Sequence, residues 1–147
     1  MDYNAWQLAI TPCQIGRVHR MMSTLNSRPR KLLIPTWCKL QANKSIHIQD
    51  SVVWRGARDI EGHLRVDDGA VLVVNCRLSL PKNAKIVIAP TGKLILNHAH
   101  LHNACDDQWE GIEIQERGKE KGILQLIGDV KLEDMRNEIV QDESDQS

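Results

Sequence analysis

The chain has 147 residues, sets 19 Lys/Arg against 19 Asp/Glu, and contains no Phe and a single Tyr. That is one domain's worth of chain whose core has to be built from Val, Ile and Leu. No run approaches 18 apolar residues and the first 30 residues contain no continuous apolar segment, so neither a membrane span nor a cleavable export signal is visible.

Residues 1–45 carry no repeat and read as a basic segment. Seven Lys/Arg stand against the single acid Asp2 over residues 1–49. Those basic residues are scattered and lack an aromatic stacking pattern, so nucleic acid is not the expected partner. Thr11 followed by Pro12, with Ile15, Val18, Met22 and Leu25 at helical spacing, predicts an N-cap, Pro at N1 and one short amphipathic helix. The expected role of this helix is to cap the first coil of the repeat region downstream, because an open coil end exposes apolar ladders and unpaired strand edges. A membrane-surface role is the less favoured alternative, since the stripe is short.

Residues 46–135 form the repeat region. Gly69, Val71, Val73, Cys76 and Leu78 recur 23 positions later as Gly92, Leu94, Leu96, Ala99 and Leu101. Leu64 and Val66 recur as Ile86 and Ile88 at an offset of 22, and Leu94, Leu96 and Leu101 recur again as Leu124, Leu126 and Leu132. Short alternating apolar pairs at this period, separated by Gly, Pro and Asn/Asp turns, mark a coil that stacks on itself. Strands are expected at 46–48, 63–66, 71–74, 77–80, 85–88, 93–96, 98–101, 111–114, 123–126 and 130–132, about three to a circuit, with turns at 67–69, 81–83 and 89–92.

The expected fold is all-β, a right-handed parallel β-helix of three to four coils of about 22–30 residues with a short helix-containing cap. Left-handed coils keep strict hexapeptide units of about 18 residues per circuit, and the variable turns here do not fit them. At a rise of about 4.8 Å per circuit the stack is a stub of about 20 Å, short enough to be expected as a fragment of a longer protein. Residues 136–147, ending Asp142, Glu143, Ser144, Asp145, Gln146, Ser147, read as an acidic disordered tail.

Four cysteines, Cys13, Cys38, Cys76 and Cys105, contain no CxxC pair, so a zinc ribbon or thioredoxin-like site is not expected. Three pairings are open to them if oxidised. Cys76 falls in an inward slot equivalent to Ala99, and a Cys76–Cys105 bridge is conceivable for an exported chain. No local feature activates a thiolate.

From Trp54 onward the chain resembles the β-helical segments of secreted surface proteins of Bacteroidetes-type bacteria, which often end in a type IX secretion sorting domain. The resemblance covers about 80 residues and rests on Pro90-Thr91-Gly92-Lys93-Leu94-Ile95-Leu96, the Asn103-Ala104-Cys105 step, and Trp109-Glu110-Gly111-Ile112. It implies the fold and an extracellular or cell-surface location, and it transfers no catalytic residue. The sequence shows no signal segment or sorting domain, a departure from that pattern.

Candidate chemistry is sparse. His98, His100 and His102 alternate with Ala99 and Leu101, so all three are expected on one outward face, a weak metal-site cue because Arg77 and Lys131 are their expected neighbours in the stack. Lyases and hydrolases built on β-helices need carboxylates on adjacent circuits. Here Asp67 and Asp68 precede a turn glycine, Asp106 and Asp107 sit in a loop, and Glu113 alternates with Ile112 and Ile114 on an outer face. Trp54, Trp37 and Trp109 are candidate sugar-stacking platforms, although Trp109 fits a rim-packing role better.

The reading is therefore a non-catalytic β-helix module of an exported or cell-surface protein that presents a face to polysaccharide or to another protein. Its candidate binding residues are Trp109, Trp54, Asp106 and Asp107. No catalytic residue, cofactor or metal is expected, and end-to-end self-association is the expected consequence of unpaired edges. The alternative is a remnant of a carbohydrate-active enzyme, a polysaccharide lyase or glycosidase.

Overall fold

The computed structural model describes residues 10–137 and 139–142, the last three by backbone alone. Residues 1–9, 138 and 143–147 lie outside the described residues, and with them Glu138, Glu143 and Asp145, three of the four acidic residues assigned to the tail. The chain divides into two compact units with the boundary between Ile34 and Pro35.

The first unit holds α1 (Pro12–Ser23) and α2 (Arg28–Lys31). Thr11 is the N-cap, as its sequence context predicts. Its hydroxyl accepts from the Gln14 N–H, and the Gln14 side chain accepts from the Thr11 N–H, so a reciprocal capping box satisfies two otherwise orphaned donors. Ser27 caps α2, and the Arg30 guanidinium donates to the Met22 carbonyl at 3.2 Å. No residue of α1 is buried.

The second unit is a parallel β-helix. Its strands in chain order are β1 (Ile46–Ile48), β2 (Ser51–Trp54), β3 (Arg58–Asp59), β4 (Leu64–Val66), β5 (Val71–Val74), β6 (Arg77–Ser79), β7 (Lys85–Ile88), β8 (Lys93–Asn97), β9 (His100–His102), β10 (Gly111–Arg117), β11 (Glu120–Lys121), β12 (Ile123–Ile127), β13 (Lys131–Leu132) and β14 (Val140–Asp142). They stack as three parallel sheets over about three turns: β1-β4-β7-β10, β2-β5-β8-β12 and β3-β6-β9-β13. β11 folds back antiparallel on β10, and β14 adds a further parallel strand to the free edge of β10. Residues 140–142 of the stretch assigned to a tail are thus paired strand.

Each sheet sends aliphatic ladders inward, two from each of the first two sheets and one from the third. Among them, Leu64, Ile86 and Ile112 stack in the first sheet, Leu72, Leu94 and Leu124 in the second, Leu78, Leu101 and Leu132 in the third. The members from the middle rungs are fully shielded from solvent. Burying each is worth about 1.5–3 kcal/mol, enough for the ladders to dominate the fold's stability.

The register departs from the sequence expectation at one point. The repeat aligned Val71 with Leu94 and Val73 with Leu96, but the paired residues are Leu72 with Leu94 and Val74 with Leu96, an offset of 22. The offset is 23 along the next strand pair, from Arg77 with His100 through Ser79 with His102. The additional residue is His98, which has no counterpart between Val74 and Arg77 and takes a left-handed φ of 50°. Because Val71 to Val74 is apolar on both faces, alternation could not choose between the two settings, and a one-residue slip exchanges the faces.

The first rung is covered by chain from within the same unit. Residues 35–45 form two short 3-10 turns, Thr36–Cys38 and Ala42–Lys44, and the Gln41 N–H donates to the Glu61 carbonyl at 2.7 Å. Leu40 packs on the core, and a Cβ on Gly62 would stand 2.5 Å from the Lys44 backbone, so only glycine lets the two segments pass. Cys38 is disulfide-bonded to Cys105, 67 residues away, with their Cα atoms 5.7 Å apart. The conceivable Cys76–Cys105 bridge is therefore not formed. Cys76 is a half-buried free thiol packed against the core, and burial pushes its pKa up.

Candidate functional site

The strands fix where polar groups collect: inward positions are aliphatic, so chemistry can only sit on outer faces and corners. On the outer face of the first sheet, Lys85 of β7 precedes an inward Ile86, and Glu113 of β10 lies between buried Ile112 and Ile114. Lys85 Nζ meets Glu113 Oε2 at 2.9 Å, and Gln115 donates to the other Glu113 oxygen at 3.1 Å. Arg65 on the neighbouring rung reaches Gln115 at 3.2 Å and Asp67 at 2.7 Å. The hydrogen bond from Lys85, assisted by Gln115, holds the Glu113 carboxyl below the usual carboxylate range.

Lys85, Glu110, Gly111, Ile112, Glu113 and Asn137 line a depression beside this network. The Trp109-Glu110-Gly111-Ile112 motif builds it. Trp109 is fully buried and its indole N–H donates to the Glu133 carbonyl at 2.7 Å. Residues 133–137 run alongside, bonded through the Trp109 N–H to Asp134 and through the Arg136 N–H to Trp109. Gly111 has φ 134°, and a Cβ there would stand 2.9 Å from the Asn137 carbonyl oxygen, so glycine lets this backbone close the wall. Glu110 accepts from Asn137 Nδ2 at 2.9 Å and pairs with Arg136 at 3.4 Å.

The corner that carries Asp106 and Asp107 is a folded turn. Asn103 is buried; its side-chain oxygen accepts from the Cys105 and Asp107 N–H groups, and its amide donates to the Leu80 carbonyl at 2.9 Å. Asp106 is exposed in a left-handed conformation with φ 55°. Asp107 accepts from the Gln108 N–H at 2.9 Å and pairs with Lys82 at 3.0 Å; the backbone bond, then Lys82, lowers its pKa. Both aspartates do turn work here.

Trp54 and Trp109 do not offer the platforms that their residue type suggests, whereas Trp37 is half-buried in the 3-10 turn ahead of β1. Trp54 is 6% exposed with the Arg58 guanidinium 4.8 Å from its ring centroid, and Trp109 is 0% exposed. A sugar ring cannot stack on a face that is already covered.

The three histidines also separate. His98 is the additional corner residue; His100 and His102 lie in β9, with ring centroids 4.7 Å apart. Arg77, His100 and Lys131 do stack as neighbours on successive rungs, as the spacing predicts. The column is less electropositive than expected, because Arg77 pairs with Asp59 at 3.4 Å and His100 pairs with Glu133. His102 is 5% exposed, with Nε2 3.1 Å from Arg77, and burial lowers its pKa. A neutral ring accepting from arginine on one rung and a carboxylate on the other imidazole do not form a shared metal cage. Among the described residues no group of three metal-ligating side chains converges.

Sequence reasoning missed the depression itself and the His100–Glu133 pair, which are 33 residues apart. Glu110 was available in the motif, but its partners Arg136 and Asn137 arrive from a segment outside the repeat. The fold and these surfaces define the class, a short disulfide-stapled parallel β-helix. No family model, curated protein or solved structure matches the chain.

Proposed function

We propose that the chain is a non-catalytic β-helix module of an exported or cell-surface bacterial protein, and that the outer face of its first sheet binds polysaccharide. One observation carries the reading: the depression lined by Lys85, Glu110, Glu113 and Asn137 around Gly111 and Ile112, a polar rim on a small apolar floor. Amide, ammonium and carboxylate groups at such a rim match the alternating donors and acceptors of sugar hydroxyls. The Cys38–Cys105 bridge supports an oxidising compartment, in keeping with the resemblance to secreted surface proteins. Trp109 walls this site through its bonds to residues 133–136, Trp54 lies on β2 in another sheet and Asp106 and Asp107 in the corner turn, and the contacts pass to Lys85, Glu110 and Asn137.

A second reading, a remnant of a lyase or glycosidase, is favoured by the same depression because two carboxylates line it. Glu113, however, is held ionised by Lys85 and cannot serve as a neutral general acid near pH 7. The test is a binding titration against acidic and neutral polysaccharides with calcium present. Binding weakened about tenfold by Lys85→Gln or Glu110→Gln, with no new reducing or unsaturated ends released, is the expected result. Turnover that Glu113→Gln abolishes would replace the binding reading with the enzyme.

A further inference from the structure

The first unit carries a surface that the β-helix reading does not use. Among the described residues, nine of the fourteen exposed large hydrophobics lie between Ile10 and Ile34, in less than a fifth of the chain. In α1, Ile15, Val18 and Met22 are spaced i, i+3, i+7 and share one face at 46%, 52% and 37% exposure, while Arg17 and Arg20 lie off it. Past the helix, Leu32 and Ile34 are each 81% exposed. An apolar surface of this density is unusual for a solvated segment.

Charge identifies what can cover it. No Asp or Glu occurs from Tyr3 to Gln49, and Arg17, Arg20, Arg28 and Lys31 are all exposed. Nucleic acid would satisfy the cations and leave the apolar face in water. A neutral groove would satisfy the apolar face and leave the cations unpaired. An anionic bilayer does both, with headgroups for the arginines and the acyl boundary for the apolar stripe. We propose that the α1–α2 unit is a monotopic anchor that lays α1 in the plane of an anionic lipid surface. The capping box supports this use, since it closes the N-terminal end of α1 with the helix's own side chains.

The experiment is sedimentation of the full chain with vesicles of phosphatidylcholine alone and of equal parts phosphatidylcholine and phosphatidylglycerol. Partition at least about tenfold stronger on the anionic vesicles, and falling with added salt, is expected. Val18→Gln with Met22→Gln should lower it about tenfold, and Arg17→Gln with Arg20→Gln, two of the four exposed cations, should lower its salt dependence by about half. Glutamine is a fair helix former, so a retained helical dichroism signal shows that the first pair has not simply unfolded α1. Equal partition on the two vesicle types overturns the proposal. So does binding of an RNA oligonucleotide that outcompetes the vesicles and ignores the Val18/Met22 change. A drop in the melting temperature of the β-helix in that variant, with vesicle binding unchanged, assigns the face to packing within the chain and overturns it as well.

Discussion

At the scale of single residues, neighbours in sequence have opposite fates. Leu94 is shielded from solvent between Leu72 and Leu124, whereas Lys93 points outward on the same strand. Leu94→Asp puts an unpaired charge into a dry ladder and should cost about 4 kcal/mol or more, while Lys93→Asp should stay within about 0.5 kcal/mol, both read from urea unfolding. Titration is a second residue-scale effect. His63 and His102 are both pushed below the ordinary imidazole value by burial, and each has a role that suits the neutral ring: His63 Nδ1 accepts the Lys85 N–H at 3.1 Å, and His102 faces Arg77. The unfolded chain therefore binds these protons more readily than the folded one. Their contribution is complete above the ordinary imidazole range and is lost as pH falls through it. Glu113, lowered by Lys85, adds a further loss as pH falls through the carboxylate range. Stability should decline between about pH 7 and pH 5, and His102→Gln should flatten that decline. An unchanged urea midpoint across the interval in the parent chain would contradict this.

At the scale of elements, position in the stack decides the value of an otherwise equivalent side chain. Leu96 and Leu126 are paired in register on β8 and β12, but Leu96 is 0% exposed and Leu126 51%, because β12 is the last rung of its sheet. Leu96→Ala should cost about 2–5 kcal/mol and Leu126→Ala less than about 1 kcal/mol by thermal or urea unfolding. Comparable losses at the two positions would mean that the edge is covered in solution. The same contrast explains which strands could be read in advance. β1, β5 and β7 have the predicted limits because turn residues bracket them. β2 and β3 escaped because the first circuit is short: Ser51 pairs with Val71 at an offset of 20 and Ile46 with Leu64 at 18, away from the 22–23 period. β14 escaped because an acidic sequence reads as solvated chain, yet a free edge on β10 offers its backbone a ladder of partners.

At the scale of the molecule, the disulfide and the chain that covers the first rung determine what can be cut away. Cys38–Cys105 closes a 67-residue loop from the segment ahead of β1 to the corner after β9. Loop-closure entropy gives such a bridge about 4 kcal/mol. Residues 35–147 should therefore unfold at nearly the same urea midpoint as residues 1–147. Residues 46–135, lacking Cys38, Leu40 and β14, should lose at least the bridge's share, and reduction of the longer chain should reproduce part of that loss. Equal stability of 46–135 would show that the ladders alone hold the coil.

By itself the sequence determined the coil. Leu64 and Val66 recur as Ile86 and Ile88, and Leu94, Leu96 and Leu101 as Leu124, Leu126 and Leu132, because inward slots on successive rungs demand the same aliphatic shape, and a demand of that kind is written along the chain even where turns change length. It also located the α1 cap and the outward Arg77–His100–Lys131 column, since both depend on spacing alone. Only the tertiary structure decided the one-residue slip at His98, the choice of Cys38 as partner of Cys105, the burial of Trp54 and Trp109, and the depression walled by Asn137. Those features depend on which corner or crossing segment comes to rest against which rung. Contacts between a repeat and a non-repeating segment leave no period to read.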